Sequence, residues 1–240
     1  MSGFVLGGDV PRSVAIVAMG GSRDRYLHDT LPRGSRRAAY DETWAINAAG
    51  DVLQCDRVFH MDDVRVQQRR ADAGNATVAE LLGWLKTCPV PVYTSRSHPD
   101  FPALEEFPLD WLLRHVPRAY FNSTPAYPLA LAIAAGVEEI GLYGMDYTYP
   151  NAHKAERGRA CVEYWVGWGE AKGVRFRANP YTTLLDSDLP DQARLYGYDT
   201  ERVAVSDERA VSRLALPESE IPTAAEIEAR YEPTYANGAH

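Results

Sequence analysis

Phe121-Asn122-Ser123-Thr124-Pro125 leads into an apolar segment from Ala126 to Ala135, and Val137-Glu138-Glu139-Ile140-Gly141-Leu142-Tyr143-Gly144-Met145-Asp146-Tyr147 follows it. The pattern predicts a polar cap, a buried helix, a strand and a Gly-x-Asp-Tyr turn at the carboxyl end of that strand. A Ser or Thr ahead of a proline at the first helical position offers a side-chain oxygen and a preset φ, and leaves backbone N–H groups free to meet an anion. In an open α/β sheet, ligands bind beyond the carboxyl ends of the strands. Both Ser123-Thr124-Pro125 and Gly144-Met145-Asp146-Tyr147 belong there, so the stretch reads as part of a nucleotide-handling enzyme.

Upstream, Val14 to Ala18 is a short apolar run ending in Met19-Gly20-Gly21-Ser22, a buried strand running into a glycine turn. Further strands are predicted at Thr43 to Asn47 and Arg57 to Met61. Ala48 to Asp56 is too short for a full helical crossover, so the crossover after the first strand is expected within Arg23 to Tyr40. Thr77 to Thr87 places Val78, Leu81, Leu82 and Leu85 on one helical face, and prolines 89 and 91 stop it before a strand at Val92-Tyr93. Downstream come a helix over Leu109 to His115, a strand over Glu139 to Tyr143, a helix over Glu156 to Lys172 and a strand over Val174 to Arg177. This alternation predicts an α/β fold, a mostly parallel sheet with helices on both faces, as one domain over residues 1–190. Past Asn179-Pro180 the pattern loosens. Prolines break it repeatedly, only Ala224 to Tyr231 is expected to be helical, and residues 191–240 read as an irregular C-terminal extension.

With 240 residues, 45% hydrophobic and 24% charged, the chain has the composition of an ordinary globular protein with a substantial core. No run approaches the roughly 18 apolar residues that would cross a bilayer, and the amino terminus has no basic region followed by an apolar core. A cytoplasmic location is expected, with Cys55, Cys88 and Cys161 as reduced thiols, because three scattered cysteines make neither a disulfide framework nor a metal site. The net charge of −8 disfavours indiscriminate nucleic-acid binding. Glu201 to His240 carries eight acidic and four basic residues, whereas Arg23 to Arg37 sets five arginines against two acids. That basic segment suits an anionic substrate.

The candidate binding residues cluster at strand ends. Gly20, Gly21 and Ser22 would let a phosphate or nucleoside approach the backbone. The G-x-G-x-x-G spacing and the Gly-Lys-Ser/Thr ending of the two common nucleotide loops are absent, which disfavours those classes. Asn47 can hydrogen-bond a base or ribose or serve as a turn former. Asp62 and Asp63 suit a divalent cation or a solvated loop. No Ser-His-Asp order with a nucleophile elbow is present. His153, expected in the loop after Asp146-Tyr147 near Lys154, Arg157 and Arg159, could take a proton from an attacking hydroxyl. Tyr143, Tyr147 and Tyr149 crowd that turn and could donate to a departing phosphate. His60 is expected to pack, as are Trp165 and Trp168.

The order Val14 to Ser22, Trp44-Ala-Ile-Asn47, Arg57-Val-Phe-His60, Ser123-Thr-Pro with its alanine-rich helix, and Gly144-Met-Asp-Tyr147 resembles the bacterial lipooligosaccharide sialyltransferases. It also resembles their relatives in the Rossmann-like group that includes archaeal hydroxymethylpterin diphosphokinases and flagellin-modifying proteins. The likeness spans about Val14 to Leu185. It implies a Rossmann-like nucleotide-binding fold. Gly20 and Ser22 match the donor-nucleotide turn, with Met19 in place of that family's asparagine, and Asn47 matches its strand-end asparagine. Ser123, Thr124 and Pro125 resemble its helix cap, and Gly144 and Asp146 its glycine-x-aspartate segment. Tyr147 or Tyr149 would assist the leaving phosphate, and His153 would be the catalytic base.

The resemblance implies a glycosyltransferase that moves a sugar from a nucleotide-sugar to an acceptor hydroxyl, with no cofactor or metal required. The acidic C-terminal segment departs from the basic, membrane-associated end of the sialyltransferases and suits a soluble acceptor: a saccharide, a protein or a modified DNA base. Nucleic acid enters only as that acceptor, and the oligomeric state is left open. The alternative is a pyrophosphokinase of the pterin kind, needing Mg²⁺ held by Asp62, Asp63 or Asp146, or a non-catalytic nucleotide-binding module.

Overall fold

Successive side chains of Val14-Ala-Ile-Val17 enter opposite apolar layers, which is what a strand covered on both faces requires. In the computed structural model, which describes residues 5–148, 150–177, 179–206 and 211–230, Ser13–Val17 is β1. Val14 and Ile16 join one core cluster, and Ala15 and Val17 another. The chain continues through α1 (Asp24–Thr30), β2 (Glu42–Ile46), α2 (Ala49–Val52), β3 (Arg57–Phe59), α3 (Val64–Asp72), α4 (Ala76–Leu85), β4 (Val92–Thr94) and β5 (Leu104–Glu106). It then forms α5 (Leu109–His115), α6 (Ala126–Ala135), β6 (Glu139–Tyr143), α7 (Ala152–Ala171) and β7 (Arg175–Arg177).

These seven strands make one parallel sheet in the order β5-β4-β3-β2-β1-β6-β7. The chain steps outward from β1 to β5 and returns to lay β6 along the other side of β1, with Val17 opposite Tyr143. The reversal between β1 and β6 is the topological switch point, where open α/β sheets bind ligands. The fold is Rossmann-like α/β. One expectation needed a smaller device than foreseen, because β2 reaches its parallel neighbour β3 through only α2, a single helical turn.

The helix that decided the reading is buried on nearly all sides: Ala126, Pro128, Leu129, Ala130, Leu131, Ala132 and Ile133 are covered, as a helix between a sheet and another helix must be. It closes at Gly136, where Val137 N–H donates to the Ala132 carbonyl and Gly136 N–H to that of Ile133. On the opposite face Val78, Leu82 and Leu85 of α4 pack with Val58 and Val92. Trp165 is fully buried, and its Nε1 donates to the Tyr120 carbonyl at 2.8 Å. Cys55, Cys88 and Cys161 form no disulfide. Burial pushes the Cys55 thiol up to about 12.

Contacts divide the chain after Ser187 into two compact units. The second is not wholly irregular: it holds an antiparallel hairpin, β8 (Glu201–Val205) and β9 (Val211–Ala215), and α8 (Ala224–Ala229). A reciprocal Thr223–Glu226 capping box starts α8. The hairpin escapes a pattern reading because Val203 is the one buried residue of its two strands. Among the described residues no helix is long and apolar enough to cross a membrane.

Candidate functional site

The carboxyl ends of β1, β2 and β6 and the turn before α6 enclose a cleft of about 910 Å³. Six of the expected binding residues line it: Gly20, Asn47, Ser123, Thr124, Gly144 and Asp146. Gly21 and Ser22 do not. Ser22 is buried instead, its backbone N–H donating to Asp146 Oδ2 at 2.8 Å and its hydroxyl to Asp146 Oδ1. Gly144 N–H donates back to the Ser22 Oγ at 3.1 Å. Asp146 is therefore a clasp that ties the turn after β1 to the turn after β6.

The two glycines of the clasp are sterically required. A Cβ on Gly20 would lie 2.5 Å from Asp146 Oδ2 and 2.6 Å from the Gly144 carbonyl oxygen. Gly144 has φ +68°, and a Cβ there would overlap the Ala18 carbonyl oxygen. A side chain at 144 would combine a left-handed backbone with a backbone clash.

Ser123 and Thr124 do not cap α6 through their side chains. The helix begins at Ala126 behind Pro125, and the Ser123 and Thr124 carbonyls accept from Ala126 and Tyr127 N–H in a preceding turn. That turn already has αR geometry at Pro125, so a side-chain cap is not called for. The Ser123 hydroxyl is instead 3.1 Å from the Tyr147 hydroxyl. Tyr147 is held at φ +49° at the end of the β6 turn, and Asn47 at φ +52° at the end of β2. Both lining residues thus adopt the left-handed region that side chains rarely occupy.

The three tyrosines expected at one turn are separated. Tyr147 lines the cleft. Tyr143 points to the other face, its hydroxyl 2.6 Å from that of Tyr40 and donating to Asp29 Oδ2 at 2.9 Å; β6 ends there, and the left-handed Gly144 breaks the strand alternation that would have kept Tyr147 on the same face. Tyr149 lies outside the described residues. His153 is not in a loop: α7 starts at Ala152, capped by Asn151 Oδ1 accepting from Lys154 N–H at 2.9 Å. This places His153 exposed on the first turn, between two cleft-lining residues, Asn151 and Lys154.

At the far end of the cleft Asp62 is a lining residue. Asp63 caps α3 and pairs with Arg65, whose hydrogen bond lowers its carboxyl to about 2. With Asp63 held by Arg65 and Asp146 by Ser22, two of the three carboxylates considered for Mg²⁺ are engaged within the protein. Among the described residues no group of three or more His, Cys, Asp or Glu is placed to hold a metal ion. Asn47 Oδ1 is 2.9 Å from His60 Nδ1, and His60 is 1% exposed, its Nε2 finding no partner among the described residues. His60 packs as expected, and burial lowers its pKa.

A second brace was not read from the sequence. Asn179 Nδ2 donates to the Ser22 carbonyl at 2.5 Å, the Thr182 hydroxyl to that of Met145 at 3.0 Å and the Thr183 hydroxyl to that of Asp146. The polar run Asn179-Pro-Tyr-Thr-Thr183 directly after β7 was the available signal.

No family model and no curated protein matches the chain. Among solved structures the chain is similar to the Campylobacter jejuni sialyltransferase CstII in complex with the substrate analogue CMP-3FNeuAc, at 18% identity and TM-score 0.42 over 72% of this chain and 82% of that one. It is also similar to the apo form of an α-2,3-sialyltransferase from Campylobacter jejuni, at 16% identity and TM-score 0.43 over 92% of each chain. Both TM-scores lie below 0.5, and the cleft's own residues must decide what it can do.

Proposed function

We propose that the cleft binds a nucleotide-sugar and transfers its sugar to an acceptor hydroxyl. The observation that carries this reading is that Ser123, Thr124, Tyr147, Lys154, Asn47 and Asp62 all line one switch-point cleft, with the Ser123 and Tyr147 hydroxyls in contact. Two hydroxyls 3.1 Å apart and an ammonium are donors suited to a phosphate. Asn47 offers an amide to a base or ribose. In the transfer the acceptor oxygen attacks the anomeric carbon and the bond from that carbon to the phosphate oxygen breaks. The electron pair leaves with the nucleotide, stabilised by Tyr147, Ser123 and Lys154, and the hydroxyl proton passes to His153 at the rim.

A thermal-shift panel identifies the donor, since a ligand at 100 times its Kd stabilises the fold by about 2.7 kcal/mol. Stabilisation by CMP, UDP or GDP supports the reading. An ATP-specific response that requires Mg²⁺ replaces it with pyrophosphoryl transfer. With donor and acceptor in hand, His153→Ala should lower turnover by roughly 10²- to 10⁴-fold and leave donor affinity nearly intact. Near-normal turnover removes His153 from the chemistry.

A further inference from the structure

The basic segment Arg23 to Arg37 is not absorbed by the cleft described above, and the structure splits it. Arg36 and Arg37 both clamp Asp56, a structural pairing that also includes Thr43 N–H on the same carboxylate. Arg25 and Arg33 instead meet Arg177, which arrives from the end of β7, around a separate cleft of about 460 Å³. Tyr143, Asp29 and Asn179 complete its polar lining. Asn179 also holds the Ser22 carbonyl, so one buried side chain stands between this cleft and the clasp of the central one.

We infer that this arginine cleft is a second anion site, built for a phosphate group on a small molecule. Arg25 approaches Asp29 Oδ1 through Nε at 2.9 Å, and Arg177 approaches Glu139 Oε1 through Nε at 2.5 Å. Among the described residues no hydrogen bond is made by the Nη groups of Arg25 or Arg177, and Arg33 has no ion pair. The outer edges of three guanidiniums thus remain as donors. Asp29 is already shared between Arg25 and the Tyr143 hydroxyl, and Glu139 between Arg175 and Arg177. Counting the paired neighbours, four guanidiniums (Arg25, Arg33, Arg175 and Arg177) against two carboxylates (Asp29 and Glu139) leave an excess of about two charges, which matches a phosphomonoester dianion better than a single carboxylate. Planar guanidinium forks recognise such oxygens in pairs. In a chain of net charge −8, this local excess is a departure from the average surface.

The inference stands apart from the proposed transfer, since neither His153 nor Tyr147 takes part. The test follows the arginine Nε–H signals of the full chain by ¹H–¹⁵N NMR during titration with inorganic phosphate and with glycerol 3-phosphate at constant ionic strength. Saturable shifts at Arg33 and Arg177 are expected, and tighter binding of the ester would identify an esterified ligand rather than free phosphate. Arg33→Ala with Arg177→Ala should weaken binding at least tenfold without changing the fold. Arg33→Lys with Arg177→Lys should fall between, keeping charge but losing the fork. Unchanged affinity in the double alanine variant overturns the site. So does equal displacement by chloride, or loss of these shifts in a Ser123→Ala, Thr124→Ala variant, which would put the anion in the central cleft.

Discussion

The two ends of the central cleft use their polar groups in opposite ways. At the β1/β6 end, Ser22, Gly144, Met145, Asp146, Asn179, Thr182 and Thr183 are joined by hydrogen bonds, Thr182 through the Met145 carbonyl. At the β2/β3 end, among the described residues, the Asn47 side chain makes one hydrogen bond, to His60, while its backbone is tied to Phe59 and Gly50; the carboxylate of Asp62 makes no hydrogen bond or ion pair, and His60 Nε2 is buried without a partner. A saturated network fixes shape, while groups left open are available to recognise a ligand. On the proposed function, this contrast gives Asp146 and its partners the task of holding geometry and leaves Asn47 and Asp62 as the groups that would read the nucleotide. Substitutions that mainly destabilise should therefore fall at the first end, and those that mainly change nucleotide affinity at the second.

The largest effect is expected at Gly144. Gly144→Ala places a Cβ against the Ala18 carbonyl at φ +68°, and combined strain and clash should cost about 3–5 kcal/mol in denaturant unfolding. A loss under 1 kcal/mol would show that the clasp yields easily and that the two ends do not differ in stiffness.

Next comes Asp146→Ala, which strands the buried Ser22 N–H and hydroxyl and should cost about 2–3 kcal/mol. Asp146→Asn keeps one acceptor and should lie between the variant and the parent. If the alanine variant keeps its stability but loses nucleotide binding, Asp146 is a ligand group, and the assignment of this end to geometry fails.

The sequence made one half of this contrast visible and hid the other. β1, α6 and β6 were legible because side chains buried on both faces or all round leave continuous apolar runs, and the start and end of α6 at Ala126 and Ala135 fell as expected. The strand ends carrying Gly20, Asn47 and Asp146 followed from them. The clasp did not, since Ser22 and Asp146 lie 124 positions apart and each looks like a ligand-binding residue by itself. Nor did the turn at Ser123, where αR geometry at Pro125 frees the hydroxyl for Tyr147. α3 was missed because only Val64 and Gln67 are buried in it, and β5 because two of its three residues are exposed acids at the sheet edge. His153 was displaced from loop to helix by the Asn151 cap, a local signal present in the sequence.

The smallest expected effect bears on the open end and comes from His60. Burial lowers its pKa in the fold, against an opposing pull from the nearby Asp62 carboxylate, while an unfolded histidine titrates near 6.5. Below about pH 6.5 the unfolded chain therefore binds more protons than the folded one. The sign follows: stability is full above that pH and falls as pH drops toward the folded value, by up to about 1.4 kcal/mol per unit for one proton. His60→Asn keeps a donor for Asn47 Oδ1 and has nothing to protonate, so its unfolding free energy should be lower at pH 7.5 from the lost packing but flatter between pH 6.5 and 5.5. The difference in slope between parent and variant, measured by urea unfolding at each pH, isolates the histidine from the carboxylates that titrate lower. Equal slopes would mean that His60 takes up its proton as readily in the fold as in the unfolded chain, and a slope of opposite sign that Asp62 holds it protonated; either outcome would remove the lowered His60 from the open end.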